Sequence, residues 1–111
     1  MLSQRDIVLI SFPFSDLKTS KVRPALVLSN NKYNKKFEDF IAVPLTTNTK
    51  LREYSVLITN KNLEKGNLIV DSNAKIDRVF SVSKKLVRMN IGKINPNTYN
   101  RVKKMLFELL D

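Results

Sequence analysis

Apolar residues come in short runs of strand length, separated by polar clusters. Ile7-Val8-Leu9-Ile10 opens the series and gives way at Phe12-Pro13-Phe14 to the polar stretch 15–21. Ala25-Leu26-Val27-Leu28 follows directly on Arg23-Pro24, which puts the proline at a strand start or edge, where its missing N–H breaks no ladder. Phe40-Ile41-Ala42-Val43-Pro44-Leu45, Tyr54-Ser55-Val56-Leu57-Ile58, Asn67-Leu68-Ile69-Val70, Val79-Phe80-Ser81-Val82 and the stretch Val87–Ile94 complete the set. About five to seven short strands joined by turns predict a small antiparallel barrel or sandwich. The lysine-rich stretch 30–36 predicts a loop, and 61–65 a short helical turn with Gly66 as its left-handed terminator.

The period changes near the C-terminus. Asn95-Pro96 reads as a helix start, because Asn can accept from the first unpaired N–H groups and Pro fits the first helical position. Beyond it Tyr99, Val102, Leu106 and Leu109 fall on one stripe of a helix, while Arg101, Lys103, Lys104 and Glu108 lie off it. A terminal helix over Pro96–Leu110, packed on the sheet, is therefore predicted. The fold class is all-β dominated with a C-terminal α-helix, in a single domain over 1–111.

Composition narrows the chemistry. The chain has 111 residues with 20 Lys plus Arg against 10 Asp plus Glu, a formal charge of +10. That charge suits a polyanionic partner, since Lys and Arg that neutralise phosphates release condensed counterions. Of the basic residues 14 are Lys, spread along the chain beside 12 Asn, so part of the charge is compositional bias and no basic tail exists. Cysteine and histidine are both absent. The chain thus lacks disulfides, thiolate ligands, a Cys nucleophile and the side chain most often used as a general base near neutral pH. Acidic residues are scattered without metal-site spacing, so no metal and no cofactor are expected. The start lacks a signal-peptide pattern and no apolar run approaches the ~18 residues of a membrane span, so a soluble cytoplasmic protein is expected.

Three segments place polar groups against apolar strands. In Lys21-Val22-Arg23-Pro24 the proline holds Arg23 extended, ready to meet a phosphate with a planar two-pronged donor set, or simply exposed beside a turn. In Val43-Pro44-Leu45-Thr46-Thr47-Asn48-Thr49 a strand runs into hydroxyls able to donate to a phosphate oxygen, although such clusters are also ordinary turn formers. Ile76-Asp77-Arg78-Val79-Phe80-Ser81 offers an acid, a base and a hydroxyl; strict alternation would put Asp77 and Ser81 on one face and Arg78 on the other. Phe14 and Tyr33 are candidates for stacking on bases.

Taken in order, DIVLISFPFSD, KVRPALVLSN, FIAVPLTTNTK and IDRVFSVSKKLVRMNIGKI resemble the motifs of the MazF/PemK family of toxin endoribonucleases, over about residues 5–110. The resemblance implies a small SH3-like barrel with a C-terminal helix, shared with the CcdB-like gyrase poisons, and usually a homodimer. It implies metal-independent cleavage of single-stranded RNA by attack of the 2′-hydroxyl, leaving a 2′,3′-cyclic phosphate and a 5′-hydroxyl. It also implies control by a cognate acidic antitoxin. The family's catalytic Arg and Thr fall on Arg23 and Thr46, with Thr47 as the neighbouring candidate for the hydroxyl. Its RNA-binding position in the third segment falls approximately on Asp77, near Arg78 and Ser81. The general base stays open between Asp77 and a water. Two departures stand out: Arg5-Asp6 replaces the usual Gly-Asp, and Phe80 stands where a basic residue is common. The competing readings are a gyrase-inhibiting toxin without nuclease activity and a plain basic nucleic-acid-binding barrel.

Overall fold

The computed structural model describes residues 2–13, 20–48, 50 and 53–111. Among the described residues eight strands run in chain order as β1 (Asp6–Pro13), β2 (Ser20–Val27), β3 (Asp39–Thr46), β4 (Ser55–Ile58), β5 (Leu63–Gly66), β6 (Ser72–Lys75), β7 (Phe80–Ser83) and β8 (Val87–Ile94). Helix α1 (Asn31–Lys36) lies between β2 and β3, and helix α2 (Pro96–Leu110) closes the chain. The strands hydrogen-bond in the order β4-β6-β3-β2-β1-β8-β5, with β7 paired to β3, and every pairing is antiparallel. The result is mostly β, a curled half-barrel with a C-terminal helix, as the short apolar runs and the terminal stripe predict.

Both faces of the central strands are covered, which explains why β1 and β2 read as unbroken apolar runs rather than as alternating ones. One core gathers Ile7, Leu26, Val43, Ile58 and Ile94 against Tyr99 and Val102 of α2. The other face packs Val8, Ile10, Ala25, Val27, Phe40 and Val82. Burying each of these larger aliphatic side chains contributes about 1.5–3 kcal/mol. Helix α2 starts as predicted, with the Asn95 side chain accepting from Thr98 N–H at 2.8 Å and Pro96 opening the first turn.

Four local expectations are corrected. The stretch 30–36 is a helix rather than a loop: Asn30 caps it by accepting from Tyr33 N–H at 2.8 Å, and it is too short and too polar to show an apolar stripe. The helical turn expected at 61–65 lies earlier, as a 3₁₀ turn over Asn60–Asn62 that Thr59 and Asn62 cap reciprocally, which frees Leu63–Gly66 to pair with β8. Gly66 does take the left-handed conformation, at φ 81°. Asn67-Leu68-Ile69-Val70 is not a strand; Asn60 holds Leu68 through both its N–H, at 2.7 Å, and its carbonyl, at 3.2 Å, leaving Ile69 96% exposed. The ladder position goes instead to β6, whose Ser72, Asn73 and Ala74 are small or polar and give no apolar signal. Last, Ile76 and Asp77 form a turn and the strand begins only at Phe80, so Asp77 and Ser81 do not share a strand face.

The entry turn, built without the glycine common at that position, puts Arg5 at φ 77°. Its backbone links two strands, donating to the Val27 carbonyl and accepting from Ile94 N–H, each at 3.0 Å. Its guanidinium donates to the Ile94 carbonyl at 2.8 Å and pairs with Glu64 at 3.2 Å. Arg5→Gly and Arg5→Ala both lose the guanidinium contacts, but only alanine keeps a Cβ in the left-handed region. Chemical denaturation is expected to find the glycine variant the more stable by about 1 kcal/mol; equal stabilities would show that the turn holds no strain.

Tyr99 fixes α2 to the sheet: its hydroxyl donates to the Leu28 carbonyl at 2.6 Å and accepts from Gln4 Nε2 at 2.9 Å. Burial pushes the phenol above its ordinary value of 10.0, offset in part by the Gln4 hydrogen bond and the Arg5 charge. A raised acid favours the folded state while it stays protonated, so its contribution is whole below about pH 10 and fades as pH rises through the higher folded value. Tyr99→Phe is expected to cost about 1–2 kcal/mol at neutral pH, because one Gln4 N–H loses its acceptor and the Leu28 carbonyl keeps only its bond from Gln4 Nε2, at 2.8 Å. The gap to wild type should then narrow in urea titrations run above about pH 10. A constant gap across that range would contradict this.

Candidate functional site

The site forms where β2 and β3 part. Their ladder pairs Val27 with Ala42, Leu26 with Val43 and Ala25 with Pro44, and stops there. Pro24 and Pro44 flank that end, and neither has an N–H to carry the ladder on. Beyond Pro44, β3 takes a new neighbour, with Leu45 paired to Ala74 and Thr46 to Asn73 of β6. β2 stays with β1, where Arg23 stands opposite Ile10. Continuing the β2–β3 register two residues past its last pair brings Arg23 opposite Thr46 on the same face, beyond the end of the ladder.

A cleft of about 320 Å³ lies there, lined by Arg23, Pro44, Leu45, Thr46, Lys75 and Arg78. Three cations and a hydroxyl thus converge, with no carboxylate in the lining. Arg23 and Arg78 are exposed, and Thr46 and Lys75 half-buried. Low-dielectric walls lined by charge of one sign concentrate the field and draw in polyanions. The Thr46 hydroxyl is oriented from below: its Oγ1 accepts from Asn48 N–H at 3.2 Å, and the Asn48 carbonyl accepts from buried Asn73 Nδ2 at 3.2 Å. That bond engages one lone pair and leaves the hydroxyl its proton as a donor.

Of the residues singled out in the sequence, Arg23, Thr46 and Arg78 therefore meet. Thr47 does not: it is exposed and lines a neighbouring apolar groove of about 340 Å³ with Leu9, Pro24, Leu68, Met89 and Ile91. Asp77 is half-buried in its turn and does not line the cleft, and Ser81 is exposed on β7 opposite Ile41. Phe14 lies outside the described residues. Lys75 was not legible in the sequence, because β6 carries no apolar alternation; once β6 is seen to pair with Leu45 and Thr46, a lysine at its end is the natural neighbour of the site.

Among the described residues no helix is long and apolar enough to cross a membrane. A direct comparison with curated proteins finds no match. Solved structures do match. An endoribonuclease in complex with its cognate antitoxin from a mycobacterial species superposes with a TM-score of 0.80 at 19% identity, covering 99% of this chain and 95% of that one. A MazE–MazF complex from Deinococcus radiodurans gives a TM-score of 0.79 at 22% identity, covering 98% and 95%. The Mycobacterium tuberculosis toxin MazF-mt6 gives 0.77 at 18% identity, covering 96% and 97%. At such identities these likenesses establish the fold. The family is fixed by sequence, since a family model described as PemK-like, MazF-like toxin of type II toxin-antitoxin system matches residues 3–110. The chain belongs to that PemK/MazF toxin family.

Proposed function

We propose that this toxin is a cytoplasmic endoribonuclease that cuts single-stranded RNA at the β2–β3 cleft, and that a cognate acidic antitoxin restrains it. The convergence of Arg23 and Thr46 on one cationic cleft carries the reading. Support comes from family membership and from structural relatives described as endoribonucleases, one of them in complex with its antitoxin. The charge of +10 suits both an RNA substrate and an acidic protein partner. A homodimer, as the family resemblance implies, is part of the same proposal.

The substrate brings its own nucleophile. The ribose 2′-oxygen forms a bond to the adjacent phosphorus, the P–O5′ bond breaks, and the products end in a 2′,3′-cyclic phosphate and a 5′-hydroxyl. The 2′-hydroxyl loses its proton and the departing 5′-oxygen gains one. No water need be activated, which fits a chain with no histidine. The enzyme's share is to hold the 2′-oxygen in line and to stabilise charge on the phosphoryl oxygens. Arg23 supplies two parallel donors and a full positive charge to that group. Thr46 donates its hydroxyl to a non-bridging oxygen. Lys75 and Arg78 hold the phosphates on either side.

The test is cleavage of a long RNA by the purified protein in EDTA, with the fragment ends mapped. Arg23→Ala is expected to keep the fold and lose at least about 10³-fold in rate, and Thr46→Val about 10²–10³-fold in kcat with little change in KM. A folded Arg23→Ala protein with wild-type activity would refute the assignment, and a Thr46→Val effect confined to KM would reduce Thr46 to a binding contact. Lys75→Gln should leave kcat near wild type while weakening RNA binding, and the slope of log affinity against log salt should become shallower by about 0.7, the value for one single-strand phosphate contact. An unchanged slope would remove Lys75 from the RNA path.

A further inference from the structure

At the opposite end of β3 from the cleft, α1 presents Lys32, Lys35 and Lys36 to solvent. Its C-cap, Phe37, is 46% exposed and lies against Tyr33, with ring centroids 4.7 Å apart and planes at 42°. Lys36 Nζ stands 5.6 Å from the Phe37 ring centre. A pair made of exposed Phe37 and half-buried Tyr33 on a helix so short contributes little to either core, and both core clusters are built without it. The 3₁₀ turn Lys84–Leu86 is fastened to this corner: Lys84 Nζ donates to the Asn34 carbonyl at 2.6 Å and Lys84 N–H to the Glu38 carbonyl at 2.9 Å. Lys85, next along, is exposed. Glu38 and Asp39 are exposed just beyond Phe37 and offset part of the charge, so the cationic surplus sits on the α1 side of the ring pair.

This corner is joined to the cleft by an edge. Among the described residues β7 pairs with β3 alone, antiparallel from Asp39↔Ser83 to Ala42↔Phe80. Arg78, two residues before β7, lines the cleft, and Lys84 follows directly after it. The chain between them spans at most about 20 Å at the rise of a β-strand. Cations thus stand at both ends of one edge strand, and an aromatic surface lies at the far end.

We propose that the Tyr33–Phe37 corner with its lysines is a second RNA-binding site, which grips the strand being cut a few nucleotides away from the scissile bond. The proposal rests on the endoribonuclease reading for its substrate class. A nucleotide satisfies both features of the corner at once: its phosphate meets the lysines and its base stacks on the Phe37 face, whereas an acidic peptide would use the lysines alone. The site raises affinity for RNA long enough to reach it and leaves the chemical step untouched.

The experiment measures binding by fluorescence anisotropy with 2′-O-methyl RNA, which lacks the nucleophile, at lengths of about 5 and about 16 nucleotides. Phe37→Ala, and separately the double change Lys35→Gln with Lys36→Gln, should weaken binding of the longer RNA about tenfold and leave the shorter one unchanged, while Phe37→Trp restores it. In cleavage assays on unmodified RNA the same variants should raise KM for the long substrate alone at constant kcat. Equal affinities of wild type and variants for the long RNA would overturn the proposal. So would variants that bind both RNAs normally but lose affinity for an acidic peptide, which would make the corner a protein-docking surface. Length-dependent RNA binding that needs Phe37, in a protein that never cuts RNA, would support this site and defeat the catalytic reading instead.

Discussion

The end of one strand pairing organises this molecule. Two prolines, Pro24 on β2 and Pro44 on β3, flank the point where the ladder between those strands stops. A continuous ladder would bring the strands to about 4.8 Å along their whole length and close the gap with backbone hydrogen bonds. Because it stops, Arg23 and Thr46 border a cleft between β2 and β3, while β3 keeps β6 as its neighbour on the side away from β2. Arg23 and Thr46 are held by backbone that is paired on its other side, so their rigidity comes from the sheet while their heads stay accessible. The position suits the orientation of a phosphate, where small misplacements cost much of the rate.

What the sequence made legible follows from how local each signal is. The terminal helix could be read to its boundaries because Asn95-Pro96 marks its start and one apolar stripe runs its full length. β1 and β2 were legible as apolar runs. The middle of the chain was not, for a physical reason: β6 is built of small and polar residues buried by their neighbours, while the apolar Ile69 and Val70 stand in solvent. Hydrophobicity there points the wrong way, since Asn60 and Thr59 decide the local structure by hydrogen bonding. The same blind spot hid Lys75. At the site, the R-P and P-L-T-T segments carried Arg23 and Thr46, and Arg78 was placed through its neighbours, but the alternation assumed for 76–81 failed because a turn intervenes.

The positive charge, spread evenly in the sequence, is sorted by the fold. Lys93 stands 3.5 Å from buried Asp6, and Arg5 pairs with Glu64, so these cations serve the entry turn and the β1–β8 pairing. Lys84 is tied to the end of α1. Arg23, Lys75 and Arg78 face the cleft, and the α1 lysines face solvent. The cationic excess thus becomes a directed field where the fold gathers it, as Arg23, Lys75 and Arg78 are gathered at the cleft, which is where a polyanion gains most from approaching.

A structure of the protein with an RNA whose 2′-oxygen at the cleavage position is removed tests the central claim most directly. The account predicts the scissile phosphate in the β2–β3 cleft, with a non-bridging oxygen within about 3 Å of both the Arg23 guanidinium and the Thr46 hydroxyl. A scissile phosphate seated elsewhere, with the two side chains turned to different groups, would contradict it.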